Sequence, residues 1–355
     1  MPPKAPLPAL DWQRLPAKRL FDSATLRADW DRLNASRGAL PFLDSEALQT
    51  AHRCFQPRGV QLLVGSLAGQ TQCLLLLQRQ GRTRWTLWQP PQIPLGPLVA
   101  MPSLTLEHLA PAILTALPWT TLALSLTQLD PRHWPPPRHE PRCVVKRYIS
   151  TGWIDCAQDF DHYWAARSGN LRASVGKALR RLESEGHTLT LRVLQAPAEM
   201  AAAVERYGRL ESSGWKGKAG TAVAAGTPQG RFYADWLTAA AARGEARVYE
   251  LLLGDRVAAA DLCVVRGDSL ILLKIAYDEA YERYSPSTLL RQAFMRSLLG
   301  TTAPAGRPGI QRVEFFGRLM DWHRRWTGEQ RSLYHLTTFR WRWLAKLRAP
   351  GSDAL

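Results

Sequence analysis

Cysteine is scarce in this chain, and its placement excludes more than its number does. Five occur in 355 residues, at Cys54, Cys73, Cys143, Cys156 and Cys263, and no two stand at the CxxC spacing. An odd count scattered over a long chain builds neither a disulfide framework nor a thiolate zinc site. Cys73 and Cys263 lie in apolar, strand-like runs and read as core residues. The eight histidines form no HxxxH or His/Cys pairing, so no metal is expected. A Gly-x-Ser-x-Gly elbow is missing, which argues against a hydrolase of that type. No run of about 18 apolar residues occurs, so no transmembrane segment is expected. The start, MPPKAPLPAL, lacks the apolar stretch of a secretory signal. The expected location is cytoplasmic.

Acidic residues are also in deficit. Lys and Arg number 46 against 30 Asp and Glu, a net charge of +16. The excess is even, +8 in residues 1–150 and +8 in the remainder, so no separate basic arm is expected. A positive surface attracts anions of several kinds: a nucleotide cofactor, a nucleic acid or a phospholipid face. Apolar residues make up 46% of the chain, enough for real cores, and the length suits two domains.

The first 20 residues are proline-rich and read as a loose lead-in. Leu26–Asn34 and Asp44–Phe55 read as helices. Strand-like runs follow at 60–67, 72–80 and 83–90, punctuated by Ala68-Gly69 and Gln80-Gly81. A Pro/Gly-rich loop, a helix over about 105–117 and a strand at 120–126 close this half. DPRHWPPPRHEPR at 130–142 reads as a break.

The second half repeats the order. Leu171, Val175, Leu179 and Leu182 share a helical face that ends at Gly186. A strand at 187–194 leads to a helix opening at Pro197, then a helix striped by Phe232, Trp236, Leu237 and Ala240. ARVYELLL, VAAADLCVV and LILLKIAY form a three-strand meander turning at Gly254-Asp255 and Gly267-Asp268. A helix over about 287–299, the strand RVEFFG at 312–317 and SLYHLTTF at 332–339 complete it.

This order resembles the GNAT (N-acetyltransferase superfamily) fold. The expectation is an α/β fold with a mixed sheet, built from two tandem GNAT-like copies with the C-terminal one better preserved. The domains are a lead-in at 1–20, an N-terminal copy at 21–145, a C-terminal copy at 146–345 and a tail at 346–355. Three segments narrow the resemblance: ESSGWKGKAGT at 211–221, KIAYDEAYERYSP at 274–286 and GRLMDWHRRW at 317–326. Together they resemble the BioF-like acyltransferase domain, grouped with the CelD-like proteins and related to the FemAB peptidyltransferases. Relatives usually carry Gly after the Ser-Pro pair, where this chain has Ser287.

The resemblance implies a transferase using acyl-CoA as co-substrate, with an amine or hydroxyl acceptor in envelope or exopolysaccharide metabolism. A strand delivering its chain to a helix start makes an anion site, because the first helical N–H groups are unpaired and the dipole favours negative charge. Tyr284, Ser285, Pro286, Ser287 and Thr288 are therefore expected to bind the cofactor diphosphate. The superfamily's usual Gln/Arg-x-x-Gly-x-Gly/Ala cofactor motif is absent.

Glu211, Lys274 and Asp278 are the catalytic candidates. A buried carboxylate such as Glu211 serves as a general base. Lys274 lies inside an apolar strand, where a charge is costly unless paired or facing a cavity. By alternation Leu272, Lys274 and Ala276 share one face. Asp278 and Glu279 are alternatively loop-ordering groups, pairing with Arg283 or Arg291. Trp215, Lys216 and Tyr281 are expected at the acceptor side. Tyr277, Tyr281 and Tyr284 are equal candidates to protonate a leaving thiolate. The tail interleaves Trp322, Trp326, Trp341 and Trp343 with basic residues, a pattern of nucleic-acid or anionic surfaces and, more commonly, of a packed closing strand with a basic rim. Two rivals stay open: a FemAB-like transferase using aminoacyl-tRNA, and an idle GNAT-fold module binding an anionic polymer or peripheral membrane surface.

Overall fold

The computed structural model describes residues 9–138, 140–213, 223–224, 226–299 and 309–348. They fall into two units, one formed by residues up to 150 and from 332 onward, the other by 151–331.

The first unit opens with β1 (Asp11–Pro16), antiparallel to β2 (Val60–Leu67). The loose lead-in expected over 1–20 is thus corrected for this stretch. Its residues pair with β2 from Asp11 opposite Ser66 to Pro16 opposite Gln61, and the Trp12 ring lies so close over Gly65 that a Cβ there would stand 2.7 Å from it. Helices α1 (Lys18–Asp22), α2 (Ala24–Ser36) and α3 (Ser45–Phe55) follow. The Ser23 hydroxyl caps α2 by accepting the Leu26 N–H. Strands β2, β3 (Gln70–Gln80) and β4 (Arg84–Leu87) form an antiparallel meander. Then come β5 (Leu98–Ala100), α4 (Leu106–Ala116) and β6 (Ala123–Leu129), the last parallel to β4. Leu63, Leu75, Leu98, Ile113 and Leu124 centre the core.

The second unit begins within β7 (Cys143–Asp155), a strand the sequence reading lacks. Lys146, Arg147 and Tyr148 are all exposed and mask its alternation. Helices α5 (Phe160–Ala165) and α6 (Gly169–Ser184), strand β8 (Leu189–Leu194), and helices α7 (Pro197–Ser213) and α8 (Pro228–Ala242) follow. Strands β9 (Ala246–Leu253), β10 (Arg256–Arg266) and β11 (Ser269–Tyr277) form the meander, and α9 (Pro286–Leu299) leads to β12 (Arg312–Glu314). A short α10 (Asp321–Arg324) comes next. The sheet order is β7-β12-β11-β10-β9-β8. Leu171, Val175 and Leu182 of α6 pack with Tyr249, Leu251 and Phe294 in one apolar cluster.

The last strand, β13 (Gln330–Phe339), pairs antiparallel with β6, Tyr334 opposite Leu129 and Phe339 opposite Ala123. The sequence reading put it in the second domain, and the structure puts residues from 332 onward in the first unit. The open edge of β6 supplies the unpaired N–H and C=O groups that accept it. Helix α11 (Arg342–Arg348) follows. No helix among the described residues is long and apolar enough to cross a membrane.

Candidate active site

In the second unit β11 and β12 run parallel for only three residue pairs, from Ser269 opposite Arg312 to Ile271 opposite Glu314. Beyond Ile271 the strands part. A cavity of about 440 Å³ lies there, lined by Ile275, Ala276 and Tyr277 of β11 and by Trp322, Arg325 and Trp326 beyond β12. Ser287, Thr288 and Arg291 of α9 line it from one side, and Leu210 and Glu211 of α7 from another.

Glu211 reaches the cavity because α7 carries one buried stripe: Met200, Ala203, Val204, Tyr207, Leu210 and Glu211. Glu211 is only 5% exposed. Its Oε1 lies 3.1 Å from the Tyr207 hydroxyl, and its Oε2 accepts the Val223 N–H at 2.6 Å. Gly208 permits that approach, since a Cβ there would meet the Val223 carbonyl oxygen at 2.1 Å. The Tyr207 proton is shared with the Ile275 carbonyl, so the Val223 N–H is the undivided donor that fixes this buried carboxylate.

The start of α9 is built on Ser285, whose φ of +52° turns the chain into the helix. Pro286 has no N–H, and the Thr288 and Leu289 N–H groups both donate to the Ser285 carbonyl, at 2.9 and 3.1 Å. That leaves the Ser287 amide as the first-turn donor this carbonyl does not take. Ser287 and Thr288 face the cavity, whereas Ser285 and Pro286 shape the turn.

The other expected site residues lie elsewhere. A bulge between Leu272 and Lys274 breaks the expected alternation: Leu262 of β10 pairs with Lys274 but Cys263 with Leu272. Leu272 and Ile275 therefore both join the cluster under α9, while the Lys274 ammonium lies 5.9 Å from the Tyr233 ring of α8. Asp278 caps the turn at 279–284, accepting the Ala280 N–H at 3.0 Å. Tyr281 packs against the cluster of α6 and α9. The Tyr284 ring is buried, with its hydroxyl on Glu185 and Arg283. The pairings proposed for Asp278 and Glu279 go to other groups: Arg283 pairs with Glu185, and Arg291 with Asp261. Among the three tyrosines only Tyr277 lines the cavity, and burial, then Glu282 and Glu279, raise its pKa. Trp215 and Lys216 lie outside the described residues.

Arg291, Trp322, Arg325 and Trp326 are cavity residues the sequence reading did not assign. A signal for Arg291 existed. Asp261 interrupts the apolar run VAAADLCVV, and a charge buried there requires a cationic partner. For Trp322 and Trp326 the structure favours the packed alternative over an anion-binding surface. Trp326 is buried, and its carbonyl accepts the Tyr163 hydroxyl at 2.8 Å. Trp322 stacks on His323 with centroids 3.6 Å apart.

Residues 169–315 match the family described as the acetyltransferase (GNAT) domain. The matched residues include β11, α9 and β12, the elements around the cavity. The solved structure of FemX is similar at 9% identity, covering 91% of this chain and 98% of its own, with a TM-score of 0.56. So is the C-terminal domain of a protein from Agrobacterium fabrum assigned as a lysylphosphatidylglycerol synthetase, at 13% identity, 90% and 93% coverage and a TM-score of 0.52. At these identities the likeness is one of fold. No curated protein matches the chain. The architecture is a mixed α/β fold of two tandem GNAT-like copies.

The two copies differ at the place where the strands part. In the first unit the Gly96 N–H donates to the Gln128 carbonyl at 3.2 Å, and β5 continues along β3 where β4 stops. A Cβ at Gly96 would lie 2.4 Å from the Thr127 carbonyl oxygen. Only about 20 Å³ remains there, room for one water. Among the described residues no group of His, Cys, Asp and Glu forms a metal site.

Proposed function

We propose that the second unit transfers an acyl group from acyl-CoA to an amine or hydroxyl acceptor. The observation that carries this reading is the cavity between the parted strands, with Ser287 and Thr288 at one side and buried Glu211 at another. A slender pantetheine arm runs along the unpaired edge of β11. The diphosphate sits at the start of α9, on the Ser287 amide and the Ser287 and Thr288 hydroxyls. Glu211 takes the proton of the attacking amine or hydroxyl, whose lone pair forms the new bond to the thioester carbonyl carbon. Collapse of the tetrahedral intermediate breaks the C–S bond, and the Tyr277 phenol protonates the departing thiolate. Direct transfer is favoured, because Cys156 and Cys263 are buried and burial raises both thiols, Cys156 to about 12. The BioF-like and CelD-like resemblance supports an acceptor from envelope or exopolysaccharide metabolism, handled in the cytoplasm.

Calorimetry with coenzyme A tests the donor. Binding in the micromolar range is expected, and no heat at about millimolar ligand overturns the reading.

A second reading, with aminoacyl-tRNA as donor, draws on the net charge of +16 and on the single first-turn amide of α9 left by the Ser285 carbonyl. Co-purified tRNA released steeply by salt would favour it.

A further inference from the structure

Arg291 is 3% exposed, lines the cavity, and its Nη1 has no hydrogen-bond partner among the described residues. Its Nη2 stands 2.8 Å from Asp261 Oδ2, an ion pair off hydrogen-bond geometry. The guanidinium lies 5.0 Å from the Phe294 ring and 5.9 Å from that of Trp322. A guanidinium carries five donors in a rigid fork, and burying one without a partner is costly. Asp261 balances the charge yet leaves the buried Nη1 without a partner beside the cavity.

The position separates this group from the proposed diphosphate site. Asp261 pairs in register with Ile275, two residues before β11 ends at Tyr277. Arg291 lies four residues along α9 from Ser287, about 6 Å deeper toward the base of the opening. The lining between is apolar: Leu210, Ile275, Ala276 and Trp326. An oxyanion reaching that depth belongs to the group meeting the thioester, not to the donor's nucleotide end.

We infer that Arg291 receives a carboxylate carried by the acceptor, so that the acceptor is an amino acid or a similar anionic amine. This deepens the acyltransferase reading and rests on it. Arg291 Nη1 donates to the carboxylate, and Glu211 faces the amine from α7. Arg291 and Glu211 then meet the two opposite charges of a zwitterion. An uncharged alcohol or amine would leave the arginine unmet.

The test uses the full-length protein and two variants. The D261N/R291Q double substitution removes both buried charges together, and R291K keeps a cation for Asp261 but offers no second nitrogen. Sodium acetate, to about 50 mM, and inorganic pyrophosphate are titrated into each by calorimetry, with circular dichroism confirming the fold. The expected result is acetate binding to the native protein, weakened about tenfold or more in each folded variant, with pyrophosphate affected less. Three results overturn the inference: no acetate binding by the native protein, acetate bound equally by a folded variant, or pyrophosphate lost more than acetate. Coenzyme A is titrated in parallel. Its failure with acetate binding intact sinks the donor reading and leaves the carboxylate site standing.

Discussion

The Tyr207 hydroxyl stands 3.1 Å from Glu211 Oε1 and 3.0 Å from the Ile275 carbonyl oxygen. One phenol, its single proton shared between these two acceptors, thus links the end of α7 to the strand that walls the cavity. If Glu211 is the general base, Glu211→Gln lowers kcat by about 10² to 10⁴ and leaves coenzyme A affinity nearly unchanged. The amide still accepts the Val223 N–H, so the melting temperature stays close to native. Steady-state rates with calorimetry separate the two effects, and an unchanged kcat removes Glu211 from the chemistry.

Tyr277 lines the cavity as a phenol, and burial, then Glu282 and Glu279, raise its pKa above the ordinary value. Tyr277→Phe is expected to slow acyl transfer by about 10² while donor binding holds. Acyl-pantetheine analogues with a better leaving thiolate should recover much of the loss. A variant that binds donor weakly but turns over normally would make Tyr277 a contact and not an acid.

The Asp261–Arg291 pair makes a stability prediction that needs no substrate. Arg291→Met strips the buried Asp261 carboxyl, whose pKa burial already raises to about 6, of its counter-ion, at a cost of about 3 kcal/mol in urea unfolding. D261N/R291Q should cost clearly less than R291M, since the neutral pair strands no charge. Equal losses would show that the arginine acts through packing alone.

His323 gives the pH dependence. Burial, with Arg291 nearby, lowers its pKa from 6.5 to about 4, and its Nδ1 accepts the Met320 N–H at 2.9 Å. A histidine kept neutral by the fold takes up its proton first in the unfolded chain. Its contribution is therefore complete above about pH 6.5 and is lost as pH falls from there toward 4. The fall in urea midpoint between pH 7 and pH 4.5 should be smaller in His323→Asn, which retains an acceptor but does not titrate.

The closed first copy predicts one coenzyme A per chain, read directly from the calorimetric stoichiometry. It also predicts that Gly96→Ala destabilises the protein by about 1–3 kcal/mol, because the added Cβ meets the Thr127 backbone. A stoichiometry of two would reopen the first copy as a site.

The sequence carried the element order because hydrophobic periodicity and Gly turns are local signals. The meander of β9, β10 and β11 and the helix starting at Pro286 read out directly. Lys274 went astray for a physical reason: the bulge beside it is set by pairing with β10, which no alternation rule contains. Ser287, Thr288 and Glu211 were legible because a helix start and a helix end advertise themselves. Arg291 and Trp326 were not, since their importance comes from partners far away in sequence: Asp261 for one, Tyr163 for the other. Strand β1 was hidden because its six residues look like a tail until β2 gives them an edge.

Strand β13 completes the first unit only after every residue of the second has been made. On a ribosome the second unit emerges whole and free to fold, while the earlier-made half waits with the outer edge of β6 bare. Removal of residues past 330 would therefore injure the start of the chain more than its middle, and a nascent protein stalled there would display an unsealed sheet for chaperones to shield.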